Sequence, residues 1–353
     1  MMMRKEGNSG KQGEKLRNSS LELLRIVSMI MVLCLHINTD LTMTQGIELS
    51  YFCKNILYII ESLAIVAVNC FVLISGYFSV TSDRLKVRRI FDIIFETSIY
   101  GIFIYLGYYI SGEQVFNGQM LNQCALPYFY NKSWFINVYV ILSILAPFIN
   151  KALVSLSKKQ YQALLGIMLT LFSIWKTFVT NPPSDDYGYG IISFVLIYMI
   201  GGYLRLHFDK KVNPFLTFFL YLAASSITCA LYFLYGRRWL NYNSIFVIIA
   251  SVLLFLTFAN MRLNSKVINY IARSVLAVYI IHSNQLIRGH IFLDYFGIQN
   301  YIGSGFFFAY YIFTVLGTFV ICILIDIVRQ YLFKYTFDKL FDKAKTLNRV
   351  YKI

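Results

Sequence analysis

Charge and proline are scarce in this 353-residue chain: 14% of its residues are Asp, Glu, Lys or Arg, and only 5 are proline. A soluble globular chain carries roughly a quarter of its residues as charges, so the shortage excludes a soluble enzyme. Because 58% of the residues are hydrophobic, a disordered chain is excluded as well. Acids are scarcer than bases, 17 against 32. The net charge of +15 raises nucleic acid as a partner, but the placement of the bases, taken up below, decides against it. The six cysteines, Cys34, Cys53, Cys70, Cys124, Cys229 and Cys322, sit mostly inside apolar runs, without the paired spacing of a metal site or a disulfide framework. No metal is expected, and a single bridge between Cys53 and Cys124, both in connections on one side, stays open.

What is present is a series of apolar blocks about 20 residues long, the length that crosses a bilayer core. We read about ten spans: 20–38, 55–79, 90–111, 133–150, 161–180, 190–207, 214–236, 244–262, 268–288 and 304–329. Each must satisfy its own backbone in hydrocarbon, so the fold class is all-α, a polytopic membrane helix bundle. When the connections are assigned alternately to two sides, 26 of the 32 bases fall on the side of the amino terminus and 6 on the other. That bias marks the cytoplasmic face. Both termini are therefore expected inside, with residues 1–19 and 330–353 as basic cytoplasmic tails around a membrane domain at 20–329. Asn18-Ser19-Ser20 supplies cap residues for the first span, which ends in polar residues rather than in the small residues of a cleaved signal. The outer connections are short, and Asn181-Pro182-Pro183-Ser184 reads as a turn in one of them.

Polar groups inside spans are costly and are functional candidates for that reason. Arg25 and His36 are eleven positions apart in the first span. That separation is a rise of about 16 Å with a residual turn of about 20°, which puts both on one helical face. The bland reading is that Arg25 snorkels to headgroups while His36 bonds a neighbouring helix. Glu61, in the outer half of the second span, is a candidate for orienting His36 or for facing a hydrated cavity. Arg84, Lys86, Arg88 and Arg89 crowd the connection ahead of the third span. Positions 88, 92 and 96 share a face, so an Arg88, Asp92, Glu96 ladder is the plain account of the acids. Four cations in six residues exceed what orientation needs and suit phosphates. Trp134 opens the fourth span as a belt residue or a sugar-stacking one, His282 lies in the outer half of the ninth, and His207 is read as interfacial.

The Arg25 to His36 spacing resembles a signature of the membrane acyltransferase-3 family. So do Asn69-Cys70-Phe71-Val72-Leu73-Ile74-Ser75-Gly76-Tyr77-Phe78, Trp134-Phe135-Ile136 with Tyr139, and the segment Ser274 to His282. The resemblance extends over nearly the whole chain. It implies a multi-pass enzyme of the bacterial plasma membrane that esterifies hydroxyls of a cell-envelope polysaccharide or lipid-linked saccharide, with acetyl-CoA as co-substrate. It implies that Arg25 and His36 are essential, that the basic connection meets the coenzyme, and that Tyr279 and His282 join Trp134 and Tyr139 as acceptor-binding candidates. The family often places two Arg three positions apart in that connection, and only Lys86 and Arg89 meet the spacing here. The competing reading is a transporter, flippase or polymerase for lipid-linked saccharide. Inverted repeats and helices broken at midplane, which transporters often show, are not evident. Nucleic acid is not expected as a partner, membrane lipids are, and a homo-oligomer stays open.

Overall fold

The computed structural model describes residues 18–130, 133–179, 186–335 and 350–352. The amino-terminal tail and the Asn181-Pro182-Pro183-Ser184 turn lie outside the described residues. Helix α1 (Ser19–Met43) runs through the middle of the bundle and packs against α2 (Tyr51–Ala64), α3 (Ala67–Ser79) and later elements. Its start follows the cap chemistry: the Asn18 side chain accepts from the backbone N–H groups of Ser20 and Leu21. The hydroxyls of Ser19 and Ser20 tie this end to the Met261 to Ser265 segment. Then come β1 (Arg84–Lys86), α4 (Val87–Ile110), α5 (Gly118–Ala125), α6 (Trp134–Ser155), α7 (Lys158–Leu169), α8 (Trp175–Phe178), α9 (Ile191–His207), α10 (Pro214–Tyr235), α11 (Ile245–Asn260), α12 (Lys266–Ile271), α13 (Val275–His282), α14 (Phe307–Tyr335) and β2 (Val350–Lys352). The strand β2 pairs antiparallel with β1, so the end of the chain lies beside the basic connection.

Among the described residues, seven helices are long and apolar enough to cross a membrane: Ser19–Met43, Tyr51–Ser79, Val87–Ile110, Trp134–Ser155, Pro214–Tyr235, Arg237–Asn260 and Phe307–Phe333. The other three expected spans take different forms. The stretch at 190–207 is α9, apolar but 17 residues long. The stretch at 161–180 is α7 and α8 joined through a π turn at Thr170–Ile174. The stretch at 268–288 is broken by a 3₁₀ turn at Ala272–Ser274, and its helix stops at His282 rather than continuing to 288. Such departures from α geometry often sit at functional positions. The last span also continues past 329, to Tyr335.

Two packed halves make up the interior. One gathers α3, α9, α10 and α11, the other α1, α4, α13 and α14. Helices α3 and α9 approach closely, and glycine makes this possible. A Cβ on Gly76 would lie 2.1 Å from the Tyr198 carbonyl oxygen, and one on Gly201 2.3 Å from that of Leu73. The outward faces of α10 and α14 expose Phe215, Phe219, Leu234, Ile312, Val320 and Leu324. Apolar area on this scale needs lipid or protein to cover it. None of the six cysteines, all among the described residues, is in a disulfide, so the Cys53 to Cys124 bridge is not formed: Cys53 is buried in the core around α1, and the Cys124 backbone lies against Gly101 of α4.

Candidate active site

A cavity of about 450 Å³ opens between the two halves, and both Arg25 and His36 line it. The shared face expected from their spacing therefore looks into one hollow rather than toward lipid. Arg25 is held in place by Glu22, one turn earlier, with 3.1 Å to each carboxylate oxygen.

At the other end, His36 Nδ1 lies 2.9 Å from His282 Nε2. The second contact of His282 assigns the protons. Its Nδ1 is 2.5 Å from the Val278 carbonyl oxygen, which can only accept, so Nδ1 carries the hydrogen. In a neutral ring Nε2 of His282 is then bare and accepts from Nδ1–H of His36. Nε2 of His36 is left as an unprotonated nitrogen with no protein partner among the described residues, on a ring that lines the cavity. His282 itself is 0% exposed, sealed by the end of α13. The break in the expected 268–288 span thus ends a helix on the residue that seats His36.

Glu61 also lines the cavity, but its carboxylate meets Arg237 Nη2 at 3.5 Å. The expected Glu61 to His36 contact is taken by His282, because the α13 ring stands closer to Nδ1 than any acid does. Farther out, Arg288 bridges Asp40 at 2.9 Å. Asn38, two residues past His36, donates to the Leu57 carbonyl at 2.8 Å and accepts from the Tyr311 hydroxyl, also at 2.8 Å, fixing α1 against α2 and α14.

Aromatic rings line the His36 end. Tyr279 lies 6.5 Å from the His36 ring, Phe135 5.4 Å from Tyr279, and Trp134 6.0 Å from Phe135. Trp134 in turn meets Tyr189 at 4.6 Å and Tyr242 at 6.0 Å. Tyr189 reaches this position because Tyr187 and Gly188 turn through the left-handed region, at φ 56° and 87°. A Cβ on Gly188 would lie 2.6 Å from the Asn243 nitrogen, so only glycine lets that turn close on Tyr242. Burial raises the Tyr189 phenol above its ordinary value, opposed by Arg237, so the hydroxyl stays protonated at neutral pH.

Tyr139 stands deeper than Trp134, by five residues or about 7.5 Å along α6. Arg89 Nη2 donates to its hydroxyl at 3.2 Å. Ser75 gives its own proton to the Phe71 carbonyl, so the Tyr139 hydroxyl donates to Ser75 Oγ at 3.1 Å. Tyr139 therefore belongs to the cationic end, away from Trp134. The four bases of the connection divide. Arg84, Lys86 and Arg89 line a smaller hollow of about 80 Å³ that shares Ser75, Arg89 and Tyr139 with the main cavity. Arg88 turns along the helix to Asp92 at 2.6 Å. The rest of the expected ladder is not built: Glu96 pairs with Arg329 on α14, together with the fully buried Asp326. Lys86 and Arg89, the two cations three positions apart, face the same hollow.

Arg237 and Arg288 count among the six outer bases and Arg273 among the 26 inner ones, yet all three line the cavity. Tyr189 and Tyr242 carried no signal beyond the general abundance of tyrosine. His207 packs on Tyr161 and Tyr203, apart from the cavity.

A family model described as an acyltransferase domain matches residues 18–327. No curated protein and no solved structure matches the chain.

Proposed function

The chain belongs to the membrane acyltransferase-3 family and is a multi-pass acyltransferase; from that premise we propose that it transfers an acetyl group from cytoplasmic acetyl-CoA to a hydroxyl of a cell-envelope or exopolysaccharide sugar, in a bacterial plasma membrane. The observation that carries this reading is one cavity with Arg25, Arg89 and Arg273 at one end and a hydrogen-bonded imidazole pair at the other. Acetyl-CoA is a polyanion that cannot enter hydrocarbon. Its phosphates suit Arg25, Arg89 and Arg273, with Arg84 and Lys86 in the adjoining hollow. The span from Arg25 to His36, about 16 Å along α1, is comparable to the pantetheine arm, so a donor anchored by its phosphates brings its thioester to the imidazole.

There the sugar hydroxyl gives its proton to Nε2 of His36 as its oxygen attacks the acetyl carbon. The carbon to sulfur bond breaks, and the leaving thiolate takes the proton back from the imidazolium. The products are the sugar ester and the free thiol of coenzyme A, and His36 returns to its starting tautomer. His282 is a positioning residue: it accepts from Nδ1–H, keeps Nε2 bare and stabilises the imidazolium that forms. The test is incubation of the purified, membrane-reconstituted protein with radiolabelled acetyl-CoA and envelope glycan. Label on the glycan, lost in His36→Ala, supports the reading. No transfer by the folded wild type overturns it.

A further inference from the structure

We propose that the His36 end of the cavity is a binding site for an uncharged pyranose, stacked on Trp134 and oriented by the Glu61 and Arg237 pair. The proposal deepens the acyl-transfer reading and rests on it for the identity of the acceptor.

Depth comes first. Asn38 of α1 and Leu57 of α2 are level, since the Asn38 amide donates to the Leu57 carbonyl at 2.8 Å. The two helices are antiparallel neighbours, so stepping back two residues to His36 and forward four to Glu61 moves the same way, about 3 Å and about 6 Å. Glu61 therefore stands within about 3 Å of the level of His36. The chain of rings from His36 through Tyr279 and Phe135 brings Trp134 to the same end. Trp134, Tyr189, Tyr242, Glu61 and Arg237 all line the cavity beside the imidazole.

Chemistry comes second. A pyranose has an apolar C–H face and an edge of hydroxyls that both donate and accept. Trp134 lines the cavity as the aromatic surface on which such a face packs, with Tyr242 stacked on it at 6.0 Å and Tyr189 at 4.6 Å. Glu61 and Arg237 touch at one contact of 3.5 Å, which leaves carboxylate lone pairs and guanidinium N–H groups unspent. The Arg237 side chain is 58% exposed while that of Glu61 is 11%, so the base reaches into the opening from a seated acid.

Charge comes third. Arg237 is matched by Glu61 and Arg288 by Asp40. The two ion pairs therefore cancel at this end, and the carboxylate of an acidic sugar would meet Glu61 and Asp40 along with any guanidinium it approached.

Direct binding tests this without relying on catalysis. The full chain in lipid nanodiscs is titrated by calorimetry with maltotetraose, a neutral oligosaccharide, and with tetragalacturonate, an anionic one. We expect maltotetraose to bind and tetragalacturonate to bind at least about tenfold more weakly. Glu61→Gln should weaken maltotetraose about tenfold, the scale of one lost hydrogen bond to a charged group, and Trp134→Ala should weaken it by a similar factor through loss of the aromatic surface. Trp134→Phe should retain most of the affinity, which excludes misfolding as the cause, and acetyl-CoA binding should stay unchanged in all three variants. Absence of maltotetraose binding to the wild type, tighter binding of tetragalacturonate, or indifference to Trp134→Ala and Glu61→Gln would each overturn the proposal. Saccharide binding without any labelled ester would instead sink the acyl-transfer reading and leave the site standing.

Discussion

At the His36 end of the cavity Arg237 faces Glu61 and Arg288 faces Asp40, whereas of the three arginines at the other end, Arg25, Arg89 and Arg273, only Arg25 pairs with an acid among the described residues, Glu22. Arg89 donates to a phenol instead of a carboxylate. The difference is between charges settled within the protein and charges left for a partner. Unpaired cations held together repel one another, and a polyanion removes that cost. Paired ones gain little from an anion and present mixed donors and acceptors to a neutral guest. One cavity thus offers opposite ends to a phosphate-bearing molecule and to a sugar.

The comparison breaks most visibly at the imidazoles. His36→Ala should lower acyl transfer by about 10²- to 10⁴-fold, the range of lost general-base catalysis, with membrane abundance unchanged on immunoblot. Retained transfer would remove His36 from the chemistry. His282→Ala should cost about 10²-fold in kcat with donor KM nearly unchanged, and His282→Gln should recover part of that loss, because its amide oxygen accepts from Nδ1–H of His36. Equal losses in the two variants would mean that His282 only fills space.

The cationic end is probed through binding. Replacing Arg84, Lys86 and Arg89 together with Gln should raise the donor KM about tenfold or more, the scale of charge-assisted bonds to phosphate, while the affinity for maltotetraose holds. A change in saccharide affinity of the same size would erase the distinction between the ends. The smallest effect sharpens the comparison most: Arg88→Gln, one residue from Arg89, should move the donor KM less than about twofold. Arg88 pairs with Asp92 on the helix surface, and exposed pairs contribute little.

The first helix was the most legible part of the site. An eleven-residue interval fixes the facing of Arg25 and His36 by helical geometry alone, with no need of the remaining chain. The partner of His36 was not legible, because His282 is 246 positions away and nothing local distinguishes a ring that meets Nδ1 from one that packs on a neighbour. Glu61 was readable as a costly acid, but its cation comes from the connection after α10, where Arg237 has the look of an ordinary outer charge. Hydropathy located the long helices but not the break in the stretch at 268–288, since apolar residues on either side of a 3₁₀ turn score like those of one continuous helix. The Arg88, Asp92, Glu96 spacing was sound for its first pair only. Glu96 faces inward, where Arg329 and Asp326 of α14 offer a stronger site than a neighbour on the same helix surface.

The cavity lies along the seam where two separately packed cores meet, and each core supplies part of its wall. Any molecule lodged there acts as a rivet between them. Saturating donor should therefore delay heat unfolding of the whole bundle, with about 2.7 kcal/mol gained at a hundredfold excess over Kd.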